Sequence, residues 1–101
     1  MWIFTPTSFL SVVQKPGDTD MLTVRGRING DIEAVFPEAI VEANKGTDYK
    51  YRARLPRAVV AKALSDQVAA IDYSNFKSTV KDRKRHDSLM GVWSAMYKVQ
   101  S

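Results

Sequence analysis

The sequence predicts a small α+β domain: a mixed sheet of about three strands with helices packed on one face, in the order β-β-α-β-α-α-α. Three observations carry that expectation. First, MLTVRGRI (21–28) and DYKYRARLPR (48–57) alternate apolar and basic residues, the pattern of a strand with one buried face. Second, SFLSVVQ (8–14) is apolar on both parities, which suits a central strand. Third, in 29–46 and again after Pro56 the apolar spacing switches to the three- and four-residue steps of helix faces.

Each element follows in order. KPGDTD (15–20) carries Pro, Gly and Asp and reads as the turn of a hairpin between the first two strands. In NGDIEAVFPEAIVEANKG (29–46), Ile32, Val35, Phe36, Ala39 and Ile40 trace a helix face, with Asn29 or Asp31 as cap. Pro37 should kink that helix, and Lys45-Gly46 should stop it. Leu55-Pro56 ends the third strand and opens a helix whose inner face is Val60, Ala63, Leu64, Gln67, Val68 and Ile71. DYSNFKSTV (72–80) reads as a short helix with Tyr73, Phe76 and Val80 inward. KDRKRHDS is expected as a basic connection, and the last helix is expected from Asp87, with Leu89, Val92, Trp93, Met96 and Tyr97 as a core stripe. The strand-helix-strand step should be right-handed. With the doubly apolar strand central, the two basic strands fall at the edges.

A chain of 101 residues, 45% of them apolar and 26% charged, is expected as one domain spanning 1–101 with its own core. The absence of cysteine excludes disulfides, thiol nucleophiles and cysteine-ligated zinc, and suits a cytoplasmic setting. The opening MWIFTPTSFLSVVQ lacks a positively charged start and is interrupted by Pro6, so it reads as a strand region and not as a signal peptide. No apolar run approaches the roughly 18 residues of a membrane span, and no membrane partner is expected.

Motifs for chemistry are weak. His86 is the single histidine, with no cysteine partner and no second histidine, and reads as a surface or cap residue. Glu38 and Glu42, four apart on the expected first helix, have the spacing of a cation chelate but also of a solvated face. Asp18, Thr19 and Asp20 lack the glycine and terminal glutamate of a calcium loop. VRGRING lacks both the dinucleotide fingerprint and the P-loop lysine. Ser8, Ser11 and Ser74 have no base assigned by spacing. No catalytic residue, cofactor or metal follows, and the expectation is a protein that is not an enzyme.

The basic parity is the candidate site. Arg25, Arg27, Lys50, Arg52 and Arg54 should share the open sheet face, where arginine forks match phosphate oxygens. Phe9 is the aromatic best placed beside them for stacking on unpaired bases. Lys81, Arg83, Lys84 and Arg85 form a second cluster that would extend the track. The formal charge of +4 agrees with an anionic partner. The expected function is therefore a basic binding module for nucleic acid, single strands preferred. The same alternation also serves a plainer purpose, keeping a sheet face solvated and its edges closed to aggregation. The alternative function is an adaptor or inhibitor, of the kind mobile elements carry, that docks on an acidic protein partner or self-associates. Monomer and homodimer stay open.

MWIFTPTSFLSVVQKPGD, LTVRGRINGDIEAVF, TDYKYRARL, IDYSNFK and VWSAMY together resemble a widespread family of small uncharacterised bacterial proteins. The resemblance runs through most of the chain in the same order and implies a shared fold. It brings no activity, cofactor or site residue with it.

Overall fold

The computed structural model describes residues 1–43 and 46–100. They form β1 (Trp2–Phe4), β2 (Phe9–Val13), β3 (Met21–Gly26), α1 (Asp31–Val35), β4 (Glu42–Ala43), β5 (Tyr51–Pro56), α2 (Arg57–Ala69), a 3-10 turn (Lys77–Thr79) and α3 (Arg83–Gln100). The chain divides into two compact units, Met1–Ile71 and Asp72–Ser101. Among the described residues no helix is long and apolar enough to cross a membrane.

The α+β class holds, but the sheet departs from expectation. It has five strands in the order β1-β2-β3-β5-β4. Every neighbouring pair is antiparallel, so the sheet is not mixed. Because β3 and β5 pair antiparallel, the connection between them is no parallel crossover, and the handedness rule does not apply to it. The basic strands β3 and β5 sit side by side in the interior, and the edges belong to β1 and β4. With three and two residues, those edge strands are too short to display an alternating period in the sequence.

The β2–β3 hairpin forms as expected. Its connection contains a Lys15–Asp18 turn in which the Asp18 N–H donates to the Lys15 carbonyl at 3.0 Å. Gly17 adopts φ +79°, the left-handed value that the third position of a type II turn demands after proline.

The first helix is far shorter than its apolar spacing predicts. α1 has five residues and ends at Phe36, whose φ of −124° and ψ of 80° are not helical. Pro37 explains the stop: its ring disfavours helical backbone at the residue before it, and it has no N–H to continue the ladder. Neither Asn29 nor Asp31 caps the helix through its side chain. Asp31 is instead buried, and its carboxylate accepts the Phe9 N–H at 3.0 Å. The Ser8 hydroxyl donates to the Asp31 carbonyl at 2.8 Å, so α1 is tied to the start of β2 by a polar pair of contacts. The expected stop at Lys45-Gly46 lies partly outside the described residues.

One sheet face makes the core. Leu10, Val12, Val24 and Ala53 pack against Ile32, Val35 and Phe36 from the α1 region and Val60 from α2, with Leu22, Leu55, Ala63 and Leu64 at the margin. Two expected core members stay outside it on α2's flank: Val68 and Ile71 are 69% and 51% exposed. Ile28 is also exposed, since β3 ends at Gly26.

In the second unit, Val80 is buried and Tyr73 and Phe76 are half-buried, but only Lys77–Thr79 forms a turn of helix. The Asn75 side-chain oxygen accepts the Lys77 N–H at 3.0 Å, a local bond that competes with a regular helix start. α3 begins at Arg83 rather than Asp87. Asp82 accounts for the difference, because its carboxylate accepts the Arg85 N–H at 2.9 Å in the manner of an N-cap. The α3 stripe is not core: Val92, Trp93, Met96 and Tyr97 are between 40% and 60% exposed.

Candidate functional site

Residues directly opposed in an antiparallel pair project to the same face. Trp2 opposes Ser11, Ser11 opposes Arg25, Arg25 opposes Arg52, and Arg52 opposes Glu42. One row therefore crosses all five strands of the sheet. Alongside it run the Phe4–Phe9 pair and the Val13–Thr23–Arg54 row. These residues share the face opposite the one on which α1 and α2 bury Leu10, Val24 and Ala53.

The five predicted cations of this face differ sharply in what they touch. Arg54 grips Asp18, with Nε and Nη2 on the two carboxylate oxygens at 2.8 and 2.6 Å. Those donated hydrogen bonds hold the Asp18 carboxyl below the usual carboxylate range and push the Arg54 guanidinium further up. Arg27 forms a looser fork on Asp48, both contacts at 3.3 Å, and donates to the Asp48 carbonyl at 3.1 Å. Lys50 is exposed and precedes β5, so the alternation expected to put it on this face does not govern it; its Nζ lies 5.5 Å from the ring of Tyr51, which packs against the core.

Arg25 and Arg52 are the exception. They are half-buried and directly opposed across β3 and β5. Arg25 donates from Nη2 to the Ser11 hydroxyl at 2.6 Å and lies 4.5 Å from the Tyr49 ring centre. Among the described residues, the buried side-chain polar atoms without a hydrogen-bond partner are Arg25 Nε, Arg52 Nε and Glu33 Oε1. Glu42 stands opposite Arg52 in the register, yet no ion pair joins them among the described contacts. Like charges set directly opposite one another cost stability, and a buried donor left unbonded costs more.

Aromatic rings border this pair. Phe9 does lie on the basic face, as expected, and two rings that sequence reasoning missed join it from β1. Phe4 stacks on Phe9 at 4.6 Å with planes 13° apart, and Trp2 meets Phe9 edge-on at 5.8 Å and 89°. Their same-parity spacing, Trp2 and Phe4, was the available signal. The alternation over 48–57 puts Tyr49 with Tyr51 and Leu55 on the apolar core face, and the structure corrects this: Tyr49 is not there. It is buried on the basic side, under the guanidiniums of Arg25 and Arg27 and 6.5 Å from Phe9. It precedes β5, so the strand's alternation does not govern it.

The second basic cluster belongs to the second unit. Lys81 donates to the Ser78 carbonyl at 3.2 Å, and Arg83, Lys84 and Arg85 form the first turn of α3 instead of a loop. Arg83 and Lys84, with Asp87 and Ser88, line a shallow surface hollow. His86 Nδ1 is 3.7 Å from Asp87 Oδ1. Among the described residues no group of three or more His, Asp or Glu is placed to hold a metal. Glu38 and Glu42 do not share a helix: Glu38 sits in a turn in which the Ala39 N–H donates to the Phe36 carbonyl at 3.0 Å, and Glu42 opens β4. The Thr19 carbonyl is taken by the Arg57 guanidinium at 3.1 and 3.0 Å, which ties the expected Asp18–Asp20 turn to α2. No protein-family model, curated protein or solved structure matches the chain.

Proposed function

We propose that this chain is a nucleic-acid-binding module without catalytic function, and that its sheet face holds backbone phosphate between Arg25 and Arg52. The observation that carries the reading is the opposed arginine pair with both Nε atoms buried and unbonded. A phosphate on the half-buried guanidinium forks supplies acceptors to the pair and neutralises its mutual repulsion. Arg27 and Arg54 are committed to Asp48 and Asp18 and act as braces. Lys81, Arg83, Lys84 and Arg85 make a second basic cluster within the other unit, a contact for anions in its own right. A cytoplasmic setting agrees with the cysteine-free composition.

The test is fluorescence anisotropy of labelled oligonucleotides at low salt. Arg25→Gln and Arg52→Gln should each weaken binding about tenfold or more, the loss expected of a charge-assisted contact of roughly 1.5–3 kcal/mol. Arg54→Gln should weaken it less. Equal losses at all three positions would point to diffuse charge and remove the pair as the site.

A second reading rests on α3, whose Val92, Trp93, Met96, Tyr97 and Val99 are exposed on one helix. In that reading the chain docks on an acidic protein partner or on itself. Sedimentation velocity of the parent and of Trp93→Ser/Met96→Ser checks self-association; a monomer at every concentration in both proteins counts against it.

A further inference from the structure

The reading of the sheet face as a phosphate-binding surface leaves its most exposed aromatic without a role. Trp2 lies on an edge strand with 69% of its surface open, where neither core packing nor edge protection calls for an indole. It occupies the same cross-sheet row as Arg25 and Arg52, separated from Arg25 only by Ser11. Neighbouring strands are about 4.8 Å apart. Because the Arg25 guanidinium leans over Ser11 to bond its hydroxyl, a phosphate fork sits roughly one strand spacing from β1. Trp2 is also oriented by its neighbours: Phe9 supports it edge-on, and Phe4 stacks on Phe9 from the other parity-matched position of β1. A braced, exposed aromatic group beside an arginine fork is the arrangement that stacks a base while the adjoining phosphate is held.

Resting on the proposed function above, we infer that Trp2, with Phe4 and Phe9, forms a base-stacking platform, so that this face takes a single strand with unpaired bases and discriminates against a duplex. A base already stacked and paired within a duplex cannot offer its face to the indole. A duplex would gain only the sequence-independent phosphate contacts.

The experiment uses the full chain carrying Trp93→Phe. Since the protein has two tryptophans, Trp2 is then the sole indole. Three probes are titrated at one low salt concentration: a short oligothymidylate, an abasic phosphodiester strand of the same length and charge, and a duplex of the same length. Oligothymidylate should quench the Trp2 emission and bind about 5- to 150-fold more tightly than the abasic strand, the range for one stacked base. Trp2→Ala should collapse that ratio toward one, and Trp2→Tyr should keep most of it. The quenching and the base-dependent ratio are read on protein with Trp2 in place, so they decide the matter even if Trp2→Ala fails to fold. Equal, salt-sensitive binding of the abasic strand and oligothymidylate, with unchanged Trp2 emission, would overturn the platform while leaving the phosphate site standing. Failure of every probe to bind would overturn both.

Discussion

Arg25 and Arg52 oppose one another where an Arg–Glu or Thr–Thr pair would hold the sheet together better. Removing one of them therefore has a signature that a purely structural arginine lacks. Arg52→Gln relieves the repulsion and frees no carboxylate partner among the described contacts, so its unfolding free energy should equal the parent's or exceed it by up to about 1 kcal/mol, while nucleic-acid affinity falls. Urea denaturation beside the binding titration reads both; a clear loss of stability would make Arg52 a structural residue. Asp18 behaves in the opposite way. Its folded carboxyl titrates below its unfolded value because Arg54 donates to it, so the pair stabilises the fold above the unfolded value near 3.9. That contribution fades as pH falls through the lower folded value. The stability gap between the parent and Asp18→Asn should be constant from neutrality to about pH 5 and shrink below about pH 4. A gap unchanged at low pH would mean the ion pair contributes nothing to folding.

Elements whose signal is periodic and long were legible in the sequence, and those decided by one residue were not. β2, β3, β5 and α2 form within the segments that alternation and the Leu55-Pro56 break mark out, although β3 stops at Gly26 and β5 starts only at Tyr51. α1 was over-extended because Ala39 and Ile40 continue the helical spacing past Pro37, and spacing carries no information about the backbone that proline forbids. α3 was under-extended for the reverse reason: KDRKRH is polar on every side, but Asp82 supplies a cap and Lys and Arg are good helix formers. Asp82→Ala should lower the stability of the unit containing α3 by about 1 kcal/mol, with fraying of its first turn visible as faster amide exchange at Arg85 and His86. Unaltered exchange there would assign the helix start to something other than the cap. The site was legible by half. The basic parity and Phe9 showed in the sequence, whereas the strand order that pairs Arg25 with Arg52, and the carboxylates that occupy Arg27 and Arg54, depend on contacts between distant segments. β1, which carries Trp2 and Phe4 to the same row, was hidden by its three-residue length.

At the scale of the whole molecule, the charge surplus of +4 is too small to define a partner by itself. What distinguishes this chain is the opposed pair of arginines at the middle of the sheet, on the face away from the core, beside four aromatic rings. Bound phosphates would displace counterions, and each contact contributes about 0.7 to the slope of log affinity against log salt for a single strand. The measurement that tests the central claim most directly is that slope, for oligothymidylate bound to the parent and to the folded Arg25→Gln/Arg52→Gln variant. A steep parent slope that drops by about 1.4 in the variant, with affinity at low salt reduced at least tenfold, is the expected result. Identical slopes and affinities in the two proteins, or a parent that binds no strand at low salt, would contradict it and leave the arginine row as a device of the sheet alone.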